Sequence, residues 1–142
     1  MLRHLALAAV ASAVAAGPLP PLPSLGLLDP PAPPPDRLTV TVSESGSAYD
    51  GTYKLECDPP GGNHPQAKRA CDRLDQLGRE GQDPFAPVGT RQLCSTLYGG
   101  PATARVTGTW HGHRVDTTFK RTDGCEISRW HELEPLLPTP RS

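Results

Sequence analysis

Apolar and polar residues alternate along several short stretches of the chain, the pattern of a β-strand with one buried face. Between two of these stretches, His111 and Gly112 predict a tight hairpin turn. The alternating stretches are residues 38–42, 53–57, 104–110 and 114–120. A short final strand is also expected after Cys125, over residues 126–130.

One stretch has a helical period instead. The apolar positions of residues 65–78 recur every three or four residues and predict one helix, packed by its apolar stripe on the sheet. Asn63 or His64 is the predicted cap, with Asn63 the better acceptor. Gly78 or Gly81 is expected to end the helix. The predicted fold class is therefore α+β, an antiparallel sheet of four to five strands with one main helix on one face.

The beginning of the chain differs from the rest. Arg3 and a short alanine-rich apolar run predict that residues 1–16 are an export signal, too short to span a membrane. A buried N-terminal helix is the alternative, but glycine and prolines follow the run immediately. Residues 17–36 are rich in proline and predict an extended, mobile arm. The folded domain is expected over residues 37–142, and the protein is expected to be secreted.

In an exported chain, the four cysteines are expected to form disulfides, because paired thiols persist in an oxidising environment. Cys57, Cys71, Cys94 and Cys125 allow three disulfide pairings, and their spacing does not choose among them. Zinc is the competing interpretation, but no Cys-x-x-Cys pair is present.

The charge balance narrows the classes of partner. The chain has 14 basic and 15 acidic residues, with a formal net charge of −1. This balance indicates no nucleic-acid partner and no association of the mature form with an anionic membrane. His111 and His113 are interpreted as hairpin residues, because no further metal ligands accompany them. No cofactor is expected.

Six short motifs occur in a fixed order between Cys57 and Glu126, within a region of similarity that covers residues 37–130. They are Cys57-Asp58-Pro59, Gly61-Gly62-Asn63-His64-Pro65, Ala70-Cys71-Asp72-Arg73-Leu74, Cys94-Ser95-Thr96-Leu97-Tyr98, Gly108-Thr109-Trp110-His111-Gly112-His113-Arg114-Val115 and Cys125-Glu126. In this order, and at similar spacing, the motifs resemble the Streptomyces-type subtilisin inhibitor family. The resemblance implies an antiparallel sheet with helices, bridges joining Cys57 to Cys71 and Cys94 to Cys125, and a homodimer formed through the sheet.

The resemblance also implies a function. It implies a secreted serine protease inhibitor that offers a rigid, substrate-like loop to a subtilisin-like protease and is cut slowly between Thr96 and Leu97. Thr96 would enter the primary specificity pocket, and Leu93 would fill a second apolar pocket. Tyr98 is either a contact on the leaving side or an anchor of the loop. The predicted contact residues besides the reactive bond are Leu93, Cys94, Ser95 and Tyr98.

Two other functions stay open at this point. A secreted binding module of the same fold without inhibitory activity is the main alternative, because Thr96 is smaller than the residue usual in the family. A small extracellular hydrolase is the weaker alternative, since no Gly-x-Ser-x-Gly motif supports a catalytic triad. The protein is therefore not expected to be an enzyme.

Overall fold

The structure is a computed structural model that describes residues 10, 12–21, 30–32 and 35–141. The chain divides into two compact units, Met1–Pro31 and Ala32–Ser142. The predicted export signal and much of the proline-rich arm lie outside the described residues. The described residues of the first unit form no helix or strand. No helix among the described residues is long and apolar enough to cross a membrane.

The second unit is built on a five-stranded antiparallel sheet with the order β3-β2-β1-β4-β5. The central strand β1 pairs with β2 on one side and with β4 on the other. The predicted turn at His111 and Gly112 joins β4 to β5, and both residues have positive φ, as a type I′ turn requires. The strands are β1 Arg37–Ser43, β2 Gly51–Glu56, β3 Gly61–Gly62, β4 Thr103–Trp110 and β5 His113–Phe119.

Helix α1 spans Ala67–Arg79, and its apolar stripe is buried as predicted. The predicted cap is wrong: the cap residue is Gln66, whose side chain forms no capping hydrogen bond. Asn63 is occupied elsewhere, because its Oδ1 accepts a hydrogen bond of 2.6 Å from the N–H of Lys54. The helix ends at Arg79, and Gly81 follows with a positive φ of 75°.

The predicted final strand over residues 126–130 is wrong, because this segment lies in a second helix, α2, which spans Gly124–Glu132. Asp123 caps it, with the side chain accepting a hydrogen bond of 2.9 Å from the N–H of Glu126. An acidic cap followed three residues later by glutamate is a helix-start signature. Trp130 is the buried residue of this helix.

One apolar core joins the inner face of the sheet to both helices. The segment after α2 has no helix or strand, as its prolines predict, yet it packs into this core. Trp130 Nε1 donates to the carbonyl of Pro138 at 2.9 Å, which holds the segment against the helix. The fold class is confirmed, with two helices instead of one. The fully buried residues of this part of the chain are Trp130, Leu133, Leu136 and Leu137.

His64 fixes the same C-terminal segment to the start of α1. It is 9% exposed; its Nε2 donates to the carbonyl of Leu136 at 2.8 Å, and its Nδ1 accepts from the N–H of Gln66 at 3.0 Å. Each ring nitrogen of the neutral imidazole therefore forms one hydrogen bond. Burial lowers the pKa of His64, and the bond to Leu136 opposes that shift. His64 thus joins the C-terminal segment to Gln66, the residue before α1.

Candidate functional site

Residues 93–98 form an exposed loop, here called the presented loop, in the connection between α1 and β4. Leu93 is 98% exposed, Leu97 66% and Tyr98 68%. Among the described residues of the second unit, Tyr49 is the only other large apolar side chain that is exposed. Apolar side chains gathered on a surface indicate a contact with another molecule.

The presented loop is anchored before Thr96. A disulfide joins Cys94 to Cys125 in the first turn of α2, which is the pairing that the resemblance implies. The carbonyl of Ser95 accepts a hydrogen bond of 3.0 Å from the N–H of Gly124. A Cβ at Gly124 would lie 2.1 Å from Ser95 Oγ and 3.2 Å from Ser95 Cβ. The absence of a side chain at Gly124 thus allows the loop to lie directly on the helix start.

A second anchor follows Tyr98. The N–H of Gly99 donates to the carbonyl of Arg121 at 2.7 Å, and Arg121 Nε donates to the carbonyl of Gly99 at 3.0 Å. Gly99 also lies close to α2, since a Cβ there would be 2.8 Å from Ile127 Cγ1. Gly99 is therefore held by both its backbone groups.

Between the two anchors, Thr96, Leu97 and Tyr98 form no hydrogen bond with any other described residue. Both anchors attach to residues 121–125, here called the bracing segment. This segment connects β5 to α2 and includes the Asp123 cap. Thr96, Leu97 and Tyr98 therefore lie between two backbone positions that are both fixed to the bracing segment.

Arg129 ties α2, and with it the bracing segment, to the rest of the domain. Its guanidinium donates to the carbonyls of Ala86 at 2.8 Å and Thr118 at 3.0 Å, and to Thr117 Oγ1 at 2.7 Å. It also lies over the ring of Phe119, 4.1 Å from the centroid. These contacts join the helix to β5 and to the beginning of the connection that carries the presented loop.

The structure brings the sequence-predicted site residues together in the one loop. Tyr98 is exposed and forms no hydrogen bond among the described residues, which favours an outward contact over an anchoring role. Sequence reasoning missed Gly99, Arg121 and Gly124. Gly99 stands in a Gly-Gly-Pro run that predicts only a loop. Its pairing with Arg121 joins positions 22 residues apart, so no local pattern reveals it.

The other candidate sites have structural explanations. The ring of His111 stacks on Trp110 with centroids 4.3 Å apart, as suits a hairpin residue. Among the described residues, one group is spaced like metal ligands: Cys94, Asp123 and Cys125. Both of its sulfurs belong to a disulfide, so they are not available as thiolates. The second disulfide, Cys57 to Cys71, joins the end of β2 to α1 and is buried.

Comparison with known proteins shows that the chain matches one protein family. The pattern of the subtilisin inhibitor-like family matches residues 34–122. The chain is 33% identical over 102 residues to subtilisin inhibitor-like protein 1 of Streptomyces cacaoi, covering 67% of this chain and 89% of the relative. It is 34% identical over 101 residues to protease inhibitor SIL-V1/SIL-V4 of Streptomyces netropsis, covering 66% and 88%.

A solved structure also aligns with the chain. It is the crystal structure of Streptomyces caespitosus sermetstatin in complex with Bacillus licheniformis subtilisin, at 24% identity and a TM-score of 0.46. The alignment covers 74% of this chain and 99% of sermetstatin. The family match covers the presented loop, and the sequence relatives are aligned over most of their own length. This chain belongs to the subtilisin inhibitor-like family.

Proposed function

We propose that this protein is a secreted inhibitor of subtilisin-like serine proteases and that the peptide bond between Thr96 and Leu97 is its reactive bond. One observation carries the proposal: the residues on both sides of this bond are fixed to the bracing segment, while Thr96, Leu97 and Tyr98 are exposed and form no hydrogen bond with the described part of the chain. Such a loop is free to pair with a protease and is already held in place. The named function of the sequence relatives supports the same conclusion.

The proposed mechanism follows from the two anchors. The protease serine attacks the carbonyl carbon of Thr96, the bond to the Leu97 nitrogen breaks, and the protease histidine gives its proton to the new amine. Because Ser95 and Gly99 stay attached to the bracing segment, the amine remains beside the acyl-enzyme. The amine attacks the ester carbonyl, its proton passes through the protease histidine to the departing serine oxygen, and the original peptide bond forms again. Prior ordering of the loop also lowers the entropy lost on binding.

Thr96 sets the expected specificity. Its small, β-branched side chain underfills a pocket built for a large apolar residue, at a cost of about 1–3 kcal/mol for each missing methylene-sized group. Tight protein inhibitors bind with about −12 kcal/mol, so a loss of this size weakens the complex without abolishing it. A trypsin-like target is disfavoured, because position 96 carries no basic side chain. Leu93, the most exposed large apolar side chain of the loop, is available for a second apolar pocket.

The proposal includes the organisation of the chain. Residues 1–16 are taken as the export signal, 17–36 as the proline-rich arm and 37–142 as the inhibitory domain. Two disulfides and no free cysteine suit an oxidising compartment outside the cell. The protein is proposed to bind its protease in stoichiometric amounts instead of turning over a substrate. A homodimer formed through the sheet stays a prediction, to be tested by sedimentation.

Titration of subtilisin with the protein tests the proposal. The expected result is stoichiometric loss of protease activity, with slow cleavage between Thr96 and Leu97. Because the disulfide joins Cys94 to Cys125 across this bond, the cleaved protein should gain one water and separate into two fragments only after reduction. Rapid degradation, cleavage at another bond or undiminished protease activity would refute the proposal and favour a binding module without inhibition.

A further inference from the structure

Arg121 is held in an unusual way for a surface arginine. Its side chain is only half-exposed and lies over the ring of Trp130, 5.7 Å from the centroid. Its Nε donates to the carbonyl of Gly99. One of its terminal nitrogens, Nη1, is shielded from solvent and has no hydrogen-bond partner in the described part of the chain.

No carboxylate among the described residues forms an ion pair with Arg121, so neither charge pairing nor a second acceptor explains its position. A shielded charged group without a partner is unfavourable unless other contacts compensate for it. The compensating contacts of the Arg121 side chain are the ring of Trp130 and the carbonyl of Gly99. The planar guanidinium fixed on the ring can present Nε in a single direction, and that direction is the backbone of the presented loop.

We propose that Arg121 is a positioning residue that determines whether the cut inhibitor is rejoined, an inference that rests on the proposed function. Gly99 stands two residues after the new amine of Leu97, and Arg121 binds its carbonyl while the Arg121 backbone binds its N–H. Arg121 binds Gly99, two residues beyond the reactive bond, and acts by keeping the leaving side of the loop close to the acyl group.

The size of the effect follows from the length of free chain. With Gly99 anchored, the Leu97 amine is two residues from a fixed point. Without that anchor, the next fixed residue is Ala102, which is 2% exposed and five residues away. Since reach grows by about 3.5 Å per residue, the accessible volume rises about 15-fold and the effective concentration of the amine falls equally. The backbone bond between Gly99 and Arg121 is expected to retain part of this anchoring.

Two substitutions at position 121 and one matched control test the inference. Arg121→Met keeps an unbranched stem over Trp130 and removes the donor. Arg121→Lys keeps the charge and removes the planar Nε–H. Arg73→Met is the control, because Arg73 lies on α1, outside the presented loop and the bracing segment, and its Nε likewise donates to a backbone carbonyl, that of Glu132 at 2.7 Å. Each variant is incubated with a catalytic amount of subtilisin, and the equilibrium ratio of cleaved to intact inhibitor is measured by non-reducing mass spectrometry.

Arg121→Met and Arg121→Lys are expected to raise the ratio of cleaved to intact inhibitor about 5- to 15-fold and to inhibit only temporarily. Arg73→Met is expected to lower the melting temperature and leave the ratio unchanged. An unchanged ratio in both Arg121 variants, or the same rise in Arg73→Met, would overturn the inference while leaving the proposed function intact. Failure of the unsubstituted protein to inhibit would instead refute the proposed function and the inference with it.

Discussion

Replacing Cys94 and Cys125 together by alanine removes the covalent anchor of the presented loop. The disulfide spans 31 residues, for which loop-closure entropy corresponds to about 3.7 kcal/mol of stability. Replacing Cys57 and Cys71 by alanine is the matched control, since that bridge spans 14 residues and contributes about 3 kcal/mol by the same relation. The two double variants should therefore lose similar amounts of unfolding free energy.

Their effects on inhibition should differ. Without the Cys94 bridge, the backbones of Cys94 and Ser95 must be ordered when the protease binds. Fixing one residue costs about 1–2 kcal/mol, so two residues cost about 2–4 kcal/mol and weaken binding roughly 30- to 700-fold. The bond between the Ser95 carbonyl and Gly124 limits the loss to the lower part of this interval. The bridge between Cys57 and Cys71 touches no residue of the presented loop, and its removal should leave binding by the folded protein unchanged.

Urea unfolding of each variant gives the change in stability, and titration of subtilisin under conditions where the variant is folded gives the inhibition constant. The time course of cleavage between Thr96 and Leu97 is followed in the same samples. Unchanged inhibition by the folded Cys94→Ala, Cys125→Ala variant would show that the covalent anchor does not organise the loop. Equal weakening by the control pair would show that general stability, and not the anchor, controls binding.

Three further predictions follow from the presented loop and the core. Thr96→Leu should tighten inhibition of subtilisin about tenfold or more, because the larger side chain fills an apolar primary pocket; an unchanged inhibition constant would show that Thr96 does not occupy that pocket. Leu93→Glu should weaken inhibition, whereas Tyr49→Glu, at an exposed apolar position outside the loop, should not; equal effects in a titration assay would contradict a second pocket contact. Burial lowers the pKa of His64, so below about pH 6.5 the unfolded state binds more protons than the folded one, and stability present above that pH is lost on acidification. Urea unfolding between about pH 7 and pH 5 should show a smaller pH slope for His64→Gln than for the unsubstituted protein, and equal slopes would exclude this role.

The sheet and α1 could be predicted from the sequence because their periods are local. Strands with one buried face alternate over a few residues, and the stripe of α1 repeats every three or four. The segment over residues 126–130 is short and follows a cysteine, and its residues alone suggest a strand. Its helical signature, the pair Asp123 and Glu126, begins before the apolar residues.

The details of the site are harder to predict, because they depend on contacts between distant residues. The resemblance predicts the position of the presented loop, and in the structure this loop is exposed. The pairing of Gly99 with Arg121 and the close approach of Gly124 to Ser95 arise only once β5 and α2 have brought the bracing segment under the loop. Proline content likewise predicts the irregular course of the C-terminal segment but not the burial of Leu136 and Leu137.

The burial of that segment has a consequence for biosynthesis. Leu133, Leu136 and Leu137 close the hydrophobic interior, and the carbonyl of Leu136 is the partner of His64 near the middle of the sequence. A nascent chain therefore lacks part of its interior until Leu137 has emerged from the ribosome. Folding should finish only after the C-terminal segment has been synthesised, so a chain that ends before Leu133 should not form the complete core.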